Sequence, residues 1–440
     1  MSFRAARMMS GLAIALLCGA FAAGGAACGG DKQVNYPVAG QDAAGAAVTD
    51  NQGAQVGVVD GAGSSGLTGA AKAAYDKGWQ AWLSGDLANA QKYFKEAGAA
   101  DPKSPAPHYS LGVVLERLGD LSGAQQEYRA AFSVSPTHEL SMCAYALSLA
   151  SNKHAGEADT FLEEKRSKSK DSSMLTACAA EVKSLQGDHG SAQQLGQDAL
   201  RMNPDYKPAM VTIARDHYRA GKADLAKYAL QALLEGFGDA SPPRDKDNAE
   251  AHLLRGLILR EGGSRVVALA DFEAAARRRP DLVEALLNLG AMRLEAGNAR
   301  EALPVLESAI KFAPKSALAH LNLGDCYRLL GQVADAKREF DVALSYDSTL
   351  AAAHYDMGLL YLFAPSVPGA SANDQVATAI KELETYKTMR GNKLHAGDDI
   401  DDLLTRAKAK QAELKAAAAA KAAPPPAAAP AAPAGDAGGK

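Results

Sequence analysis

The sequence predicts an all-α protein, a solenoid of helix–turn–helix units stacked side by side. Three observations predict it. Small residues return on a 34-residue period through most of the chain. Ala, the best helix former, is abundant, while β-branched residues are sparse outside short runs. The chain has 440 residues, enough for several domains or one long repeat array.

The first element is a targeting segment, residues 1–27. Arg4 and Arg7 precede an apolar run from Leu12 to Ala23. That run has the length of a signal-peptide core and is too short to span a bilayer as a stable helix. The stretch "GGAACGGDK" follows, with Gly25, Ala26 and Ala27 leading into Cys28. This resembles a bacterial lipobox, whose Cys becomes the lipidated first residue of the mature protein. Gly25 departs from the aliphatic residue usual there, and ordinary cleavage at "AFA" (Ala20 to Ala22) is the alternative. Cys18 lies inside the apolar run and would be removed with it. Several acyl chains, at about 0.8 kcal/mol per buried CH₂, anchor a protein stably. Gly29 after the Cys favours the outer membrane.

Residues 28–68 comprise the lipidated Cys and a linker rich in Gly, Ala, Asp, Gln and Ser. Such a segment cannot bury enough surface to fold and is expected to be a flexible tether. At the other end, residues 417–440 form an Ala/Pro tail, expected to be disordered, although its Ala-rich start can continue a helix.

Between these ends the period is explicit. From Gly112, Gly119 follows at +7, Ala124 at +12, Tyr128 at +16, Ala131 at +19 and Pro136 at +24. The same offsets from Gly256 reach Gly263, Ala268, Phe272, Ala275 and Pro280. From Gly290 they reach Gly297, Ala302, Leu306, Ala309 and Pro314. Gly78 and Gly324 start two more matching series, with Ser348 in place of Pro in the last. Small side chains let two helices approach, a Gly ends the first helix in a left-handed turn, and Pro stops the second. A ring such as Phe272 or Phe340 is expected to fill the space between one unit and the next.

This pattern resembles the tetratricopeptide-repeat (TPR) family, which implies a right-handed superhelix of helix pairs. The register places units one to five at 71–240, a loop "SPPRDKDN" at 241–248, units six to nine at 249–390 and a capping helix at 391–416. The third unit is degenerate, keeping Ala146 and Ala158 but placing Lys165 and Lys170 where Ala and Pro are expected. The fourth is also weakened. In the ninth, "APSVPGASANDQ" interrupts the pattern, which resumes near Val376.

The charge of −4 and the lack of a basic stripe with interleaved aromatics argue against nucleic-acid binding. No nucleophile elbow, HExxH, P-loop or CxxC motif occurs, so no catalytic residue, cofactor or metal is expected. His108, His252, His320 and His354 each precede a Gly by four residues. Neighbouring helices lie roughly 10 Å apart, too far for two of these to share a zinc at about 2 Å. They read as packing residues of the first helix of each unit. "GDDIDDLL" (Gly397 to Leu404) lacks an EF-hand ligand loop, and its acids suit a helix N-terminus. Cys143 and Cys178, at positions 5 and 6 of successive first helices, can pair in an oxidising compartment, but buried small side chains are the expectation.

In this family, positions 2, 5, 9, 12 and 13 of the first helix commonly line a concave groove. The resemblance therefore implies partner contacts at Tyr75, Trp79, Trp82, Tyr109, Arg117, Arg215, Tyr218, Arg219, Arg260, Leu321, Arg328 and Tyr355, since aromatics and Arg anchor interfaces. The aromatics of the first unit can equally seal the end of the stack. A chaperone-type carboxylate clamp is not implied, because Leu253 and Leu257 stand where Lys and Asn would be needed.

The expected protein is a lipid-anchored TPR scaffold of the bacterial cell envelope, an outer-membrane lipoprotein facing the periplasm. It binds envelope proteins in its groove and takes no small-molecule substrate. The end "KELETYK…DDIDDLLTRAKAKQAEL" and its Ala/Pro tail resemble the outer-membrane TPR lipoproteins of the myxobacterial adventurous gliding-motility machinery. That likeness implies a part in a trans-envelope motility complex. The alternatives are a pilotin-like TPR lipoprotein for secretin or type IV pilus assembly, and a recruiter of a peptidoglycan-acting enzyme.

Overall fold

The computed structural model describes residues 66–391, 394 and 398–422. The expected signal segment, Cys28, the linker as far as residue 65 and the tail from 423 lie outside the described residues. Nineteen α-helices run through the described residues, with no strand among them.

They pair in chain order. Units one to three are α1 (Gly69–Leu83) with α2 (Leu87–Ala100), α3 (Pro105–Arg117) with α4 (Leu121–Val134), and α5 (Glu139–Ser151) with α6 (Ala155–Lys168). Units four to six are α7 (Ser173–Leu185) with α8 (His189–Met202), α9 (Lys207–Arg219) with α10 (Ala223–Leu234), and α11 (Ala249–Glu261) with α12 (Arg265–Arg278). Units seven to nine are α13 (Val283–Glu295) with α14 (Ala299–Phe312), α15 (Ala317–Leu329) with α16 (Val333–Tyr346), and α17 (Ala351–Phe363) with α18 (Ala372–Arg390). A last helix, α19 (Ile400–Ala422), packs on α18. It runs past residue 416, where the sequence reading ended it, because its Ala-rich end has the highest helix propensity.

One local rule builds units one, two and six to nine, while units three to five carry Ala146, Ala180 and Ala214 at the same place. The first helix carries a Gly where the second brings a large side chain. A Cβ on Gly112 would stand 2.5 Å from the Tyr128 ring, and one on Gly324 would stand 2.6 Å from Phe340. The ring therefore lies on the Gly of its own unit, a closer contact than the inter-unit filling expected from sequence, and also joins the core shared with the next unit. Between the two helices the chain makes a Schellman turn. Gly119 N–H donates to Glu116 C=O at 2.9 Å, and Asp120 N–H to Leu115 C=O at 2.9 Å. Gly119 has φ +74°, a conformation that only Gly adopts cheaply. Asp120 then caps α4 by accepting from Gly123 N–H at 2.9 Å.

The third unit makes the same turn with the wrong residue. Lys153 stands at φ +66°, the one non-Gly residue with positive φ among the described residues. That unit is tied to the fourth by a disulfide between Cys143 and Cys178. The expectation of two buried free thiols is corrected: their helices run side by side, with Cα atoms 5.8 Å apart, within bridging range.

The stack also meets itself. The ring of Trp82, at the end of α1, lies 5.8 Å from that of Phe312, at the end of α14. Next to it, a Cβ on Gly85 would come 2.8 Å from Lys311 Cβ. A Cβ on Gly119 would come 3.2 Å from Lys315. The turns of units one and two thus pack on the end of unit seven.

Candidate functional site: the concave helix face

The first helix of each unit supplies the face that was expected to receive a partner. Its middle is a buried charge network. Arg215 Nη1 donates to Glu181 at 2.9 Å and its Nη2 to Glu250 at 3.0 Å, joining α7, α9 and α11. Arg219 pairs with the second oxygen of Glu181 at 2.8 Å and donates to Ser184 at 3.1 Å. Burial pushes the Glu181 carboxyl up, but the two guanidinium groups outweigh it and hold it below its ordinary value. Glu250 is also raised by burial, and Arg215 offsets only part of that, leaving it above its ordinary value.

The structure separates the predicted groove residues into two sets. Tyr75, Trp82, Tyr109, Arg215 and Leu321 are buried within the chain, which corrects their assignment to an open groove. Tyr75 hydroxyl bonds Ser110 Oγ at 2.9 Å, and its ring rests on Phe94. Tyr109 lies between Tyr128 and His138. Trp82 is covered by Phe312 and faces Arg117 at 6.0 Å. Arg215 is surrounded by its two carboxylates. Trp82 is thus covered by a distant unit, and Tyr75, Tyr109, Arg215 and Leu321 by side chains of their own and adjacent units.

The second set is half-buried: Trp79, Arg117, Tyr218, Arg219, Arg260, Arg328 and Tyr355. Most are held by neighbours. Tyr218 hydroxyl donates to Glu261. Arg260 bonds Asn288 at 2.9 Å and Glu295 at 2.7 Å. Arg328 bonds Asp325 at 2.8 Å, and Tyr355 hydroxyl donates to Asp399 at 2.9 Å. Cys28 lies outside the described residues.

The four histidines share one bond that sequence reasoning missed. Nδ1 of His108 donates to Glu127 at 2.7 Å, His252 to Asp271 at 2.8 Å, His320 to Glu339 at 2.7 Å and His354 to Glu382 at 2.6 Å. Each clasps the two helices of one unit. The signal was present in the sequence: an acid follows the His by 19 residues in three of the four units. Nε2 of His320 also faces Pro314 C=O at 3.0 Å, so both ring nitrogens meet acceptors. Burial opposes the charge on His320, but these two bonds outweigh it and raise its pKa. Among the described residues, no group of three or more His, Cys, Asp or Glu is placed to hold a metal.

Among the described residues, Arg219 faces Oε1 of Glu181, and Oε1 of Glu250 has no hydrogen-bond partner although Arg215 holds the other oxygen; Asp356 on α17 has no such bridging Arg bond. It is buried, and its Oδ1 has no hydrogen-bond partner among the described residues. Burial first, and then the charge of Asp325, push its carboxyl well above the usual range, with Arg328 opposing.

Two tetratricopeptide-repeat family models match, one over residues 81–139 and 293–358 and the other over residues 211–283. Residues 140–210, containing most of the degenerate units and the whole disulfide loop, fall between these matches. No curated protein matches. Among solved structures, the APC/C hetero-tetramer Cut9–Hcn1 is similar in fold, with TM-score 0.51 and 15% identity over 72% of this chain. The match spans 58% of the length of that chain. The human IFIT1 dimer with PPP-AAAA gives TM-score 0.42 and 17% identity over 86% of this chain and 95% of that one. PilW, a type IV pilus biogenesis factor, gives 0.35 and 18% over 49% and 96%. The chain folds as an α-solenoid of helix pairs, and over the matched residues its units are similar to the tetratricopeptide repeat.

Proposed function

We propose that this solenoid is a protein-binding scaffold of a bacterial cell envelope, anchored through lipid on Cys28 to the outer membrane with its helices in the periplasm. There it gathers protein components of an envelope machine. The observation that carries the reading is the Cys143–Cys178 disulfide, since disulfides persist in oxidising compartments and are rare in the cytosol. Arg4, Arg7, the apolar run and Cys28 support the anchor. A linker of about 40 residues reaches roughly 35 Å as a Gly-rich coil, so the tether raises local concentration without fixing orientation. The likeness of the C-terminal stretch supports a place in gliding-motility machinery.

The test has three readings. Cys28→Ala should move the protein out of the membrane fraction, and unchanged fractionation overturns the anchor. Protein taken from cells and alkylated without reduction should leave Cys143 and Cys178 unlabelled by mass, and labelling of both overturns the envelope address. Deletion should abolish single-cell gliding with pili and secretin multimers intact, and loss of secretin multimers instead would replace motility with secretin assembly.

A further inference from the structure

The concave face treats buried carboxylates in two ways. In units four to six the chain bridges Glu181 and Glu250 with its own Arg215. In units eight and nine, Asp325 and Asp356 are buried on the neighbouring helices α15 and α17. Arg328 turns back to Asp325 on its own helix at 2.8 Å, and Asp356 Oδ1 has no partner. Arg260 occupies the equivalent place in unit six and does reach across, to Asn288, the counterpart of Asp356, at 2.9 Å. The donor that unit seven receives is thus missing in unit nine. Buried polar groups are nearly always paired, and an orphan calls for a reason.

Solvent-facing apolar groups lie on the same helix faces. Phe363, seven residues after Asp356 on α17, is 57% exposed, and Leu329, four residues after Asp325 on α15, is 45% exposed. Residues at i+4 and i+7 share a helix face. Asp356 itself is 2% exposed. A group reaching it from that rim needs a long apolar stem and a charged or donating tip, the construction of Arg and Lys. Asp399 beside Tyr355, and Asp398 beside Tyr386, add negative charge at this end.

We propose that units eight and nine form a docking subsite for a partner protein segment that inserts one Arg or Lys side chain at Asp356, between Leu329 and Phe363. The inference rests on the scaffold reading and specifies its chemistry. The partner supplies in trans the cation that Arg215 supplies within units four to six.

The probe is an array of 12-residue amphipathic peptides, each made with Arg, Lys, citrulline or norleucine at its centre, presented to the full chain. Citrulline keeps the shape of Arg and loses the charge. Among peptides that bind, Arg and Lys members should bind at least tenfold tighter than citrulline members. Asp356→Asn should abolish that preference while melting at or above the wild-type temperature. Phe363→Ala should weaken all members several-fold and leave the preference intact. Binding with no preference for the cation overturns the subsite and leaves the scaffold reading standing. A preference that survives Asp356→Asn, or a melting temperature several degrees lower in that variant, overturns it as well, the latter by revealing an internal partner. Binding unaffected by Phe363→Ala overturns the location. Failure of every peptide to bind counts against the scaffold reading itself.

Discussion

Trp82 in the first unit packs edge-on against Phe312 in the seventh, ring centroids 5.8 Å apart. Nothing near either residue in sequence requires this. The contact joins the two ends of a seven-unit arc and covers a ring that an open array would display.

Phe312→Ala should break that closure without melting the helices. Trp79 and Trp82 are the two tryptophans of the chain, so a Trp79→Phe background isolates the signal. Trp82 emission should shift to the red at temperatures where far-UV ellipticity is unchanged, with a larger radius of gyration by small-angle scattering. The cost is about 3 kcal/mol, at the lower end for removal of a buried ring. Unchanged emission would mean that the two ends do not meet in solution.

Arg215→Met should destabilise units four to six by about 3–5 kcal/mol, because it leaves Glu250 buried without its bridging cation and Glu181 with Arg219 alone. The sign with pH follows from the carboxylates. In the wild type Glu181 lies below its ordinary value, so its contribution is present above the unfolded pKa and fades as pH falls through the folded one. In the variant burial acts unopposed by Arg215, raising Glu250 further and Glu181 as far as Arg219 allows. The penalty is then full at neutral pH and shrinks on acidification as they protonate. Urea melts of both proteins at neutral and mildly acidic pH should converge, and parallel curves would show that the network does not behave as a charge cluster.

Lys153→Gly should stabilise the third unit by about 1 kcal/mol, since a β-carbon at positive φ costs about that much. Hydrogen exchange of α5 and α6 is the direct measurement. Faster exchange in the variant would mean that the lost side chain mattered more than the relieved turn.

His320→Gln should remove the clasp to Glu339 and the charge it carries. The pKa of His320 is raised in the fold. Its stabilisation is therefore complete below the pKa of a free imidazole and is lost as pH rises through the folded value. The difference in melting temperature between wild type and variant should be largest in mild acid and should narrow toward alkaline pH. A difference that grows with pH would contradict the imidazolium assignment.

The histidines show how far the sequence could be read and where reading stopped. Their spacing to Gly exposed the period, and the period predicted every helix pair, because the contacts that set it are local. Gly112 meets Tyr128 and Gly324 meets Phe340 within one unit, so the constraint recurs wherever the unit recurs. The acids at +19 obey the same logic and were equally legible. The disulfide was open in sequence, since the spacing of Cys143 and Cys178 placed them on neighbouring helices without saying how the thiols point.

By itself, then, the amino-acid sequence determined the helices, their turns, the pairing within units and the order of stacking. These depend on residues a few turns apart, where side-chain size and backbone freedom decide the outcome. The tertiary structure alone decided which face residues stay accessible. A small rotation from each unit to the next accumulates over six steps into the Trp82–Phe312 contact, and no single repeat encodes that sum. Side chains of their own and adjacent units bury Tyr75 and Tyr109, enclose Arg215 between two acids and leave Asp356 Oδ1 without a hydrogen-bond partner among the described residues, so the site had to be read from the fold.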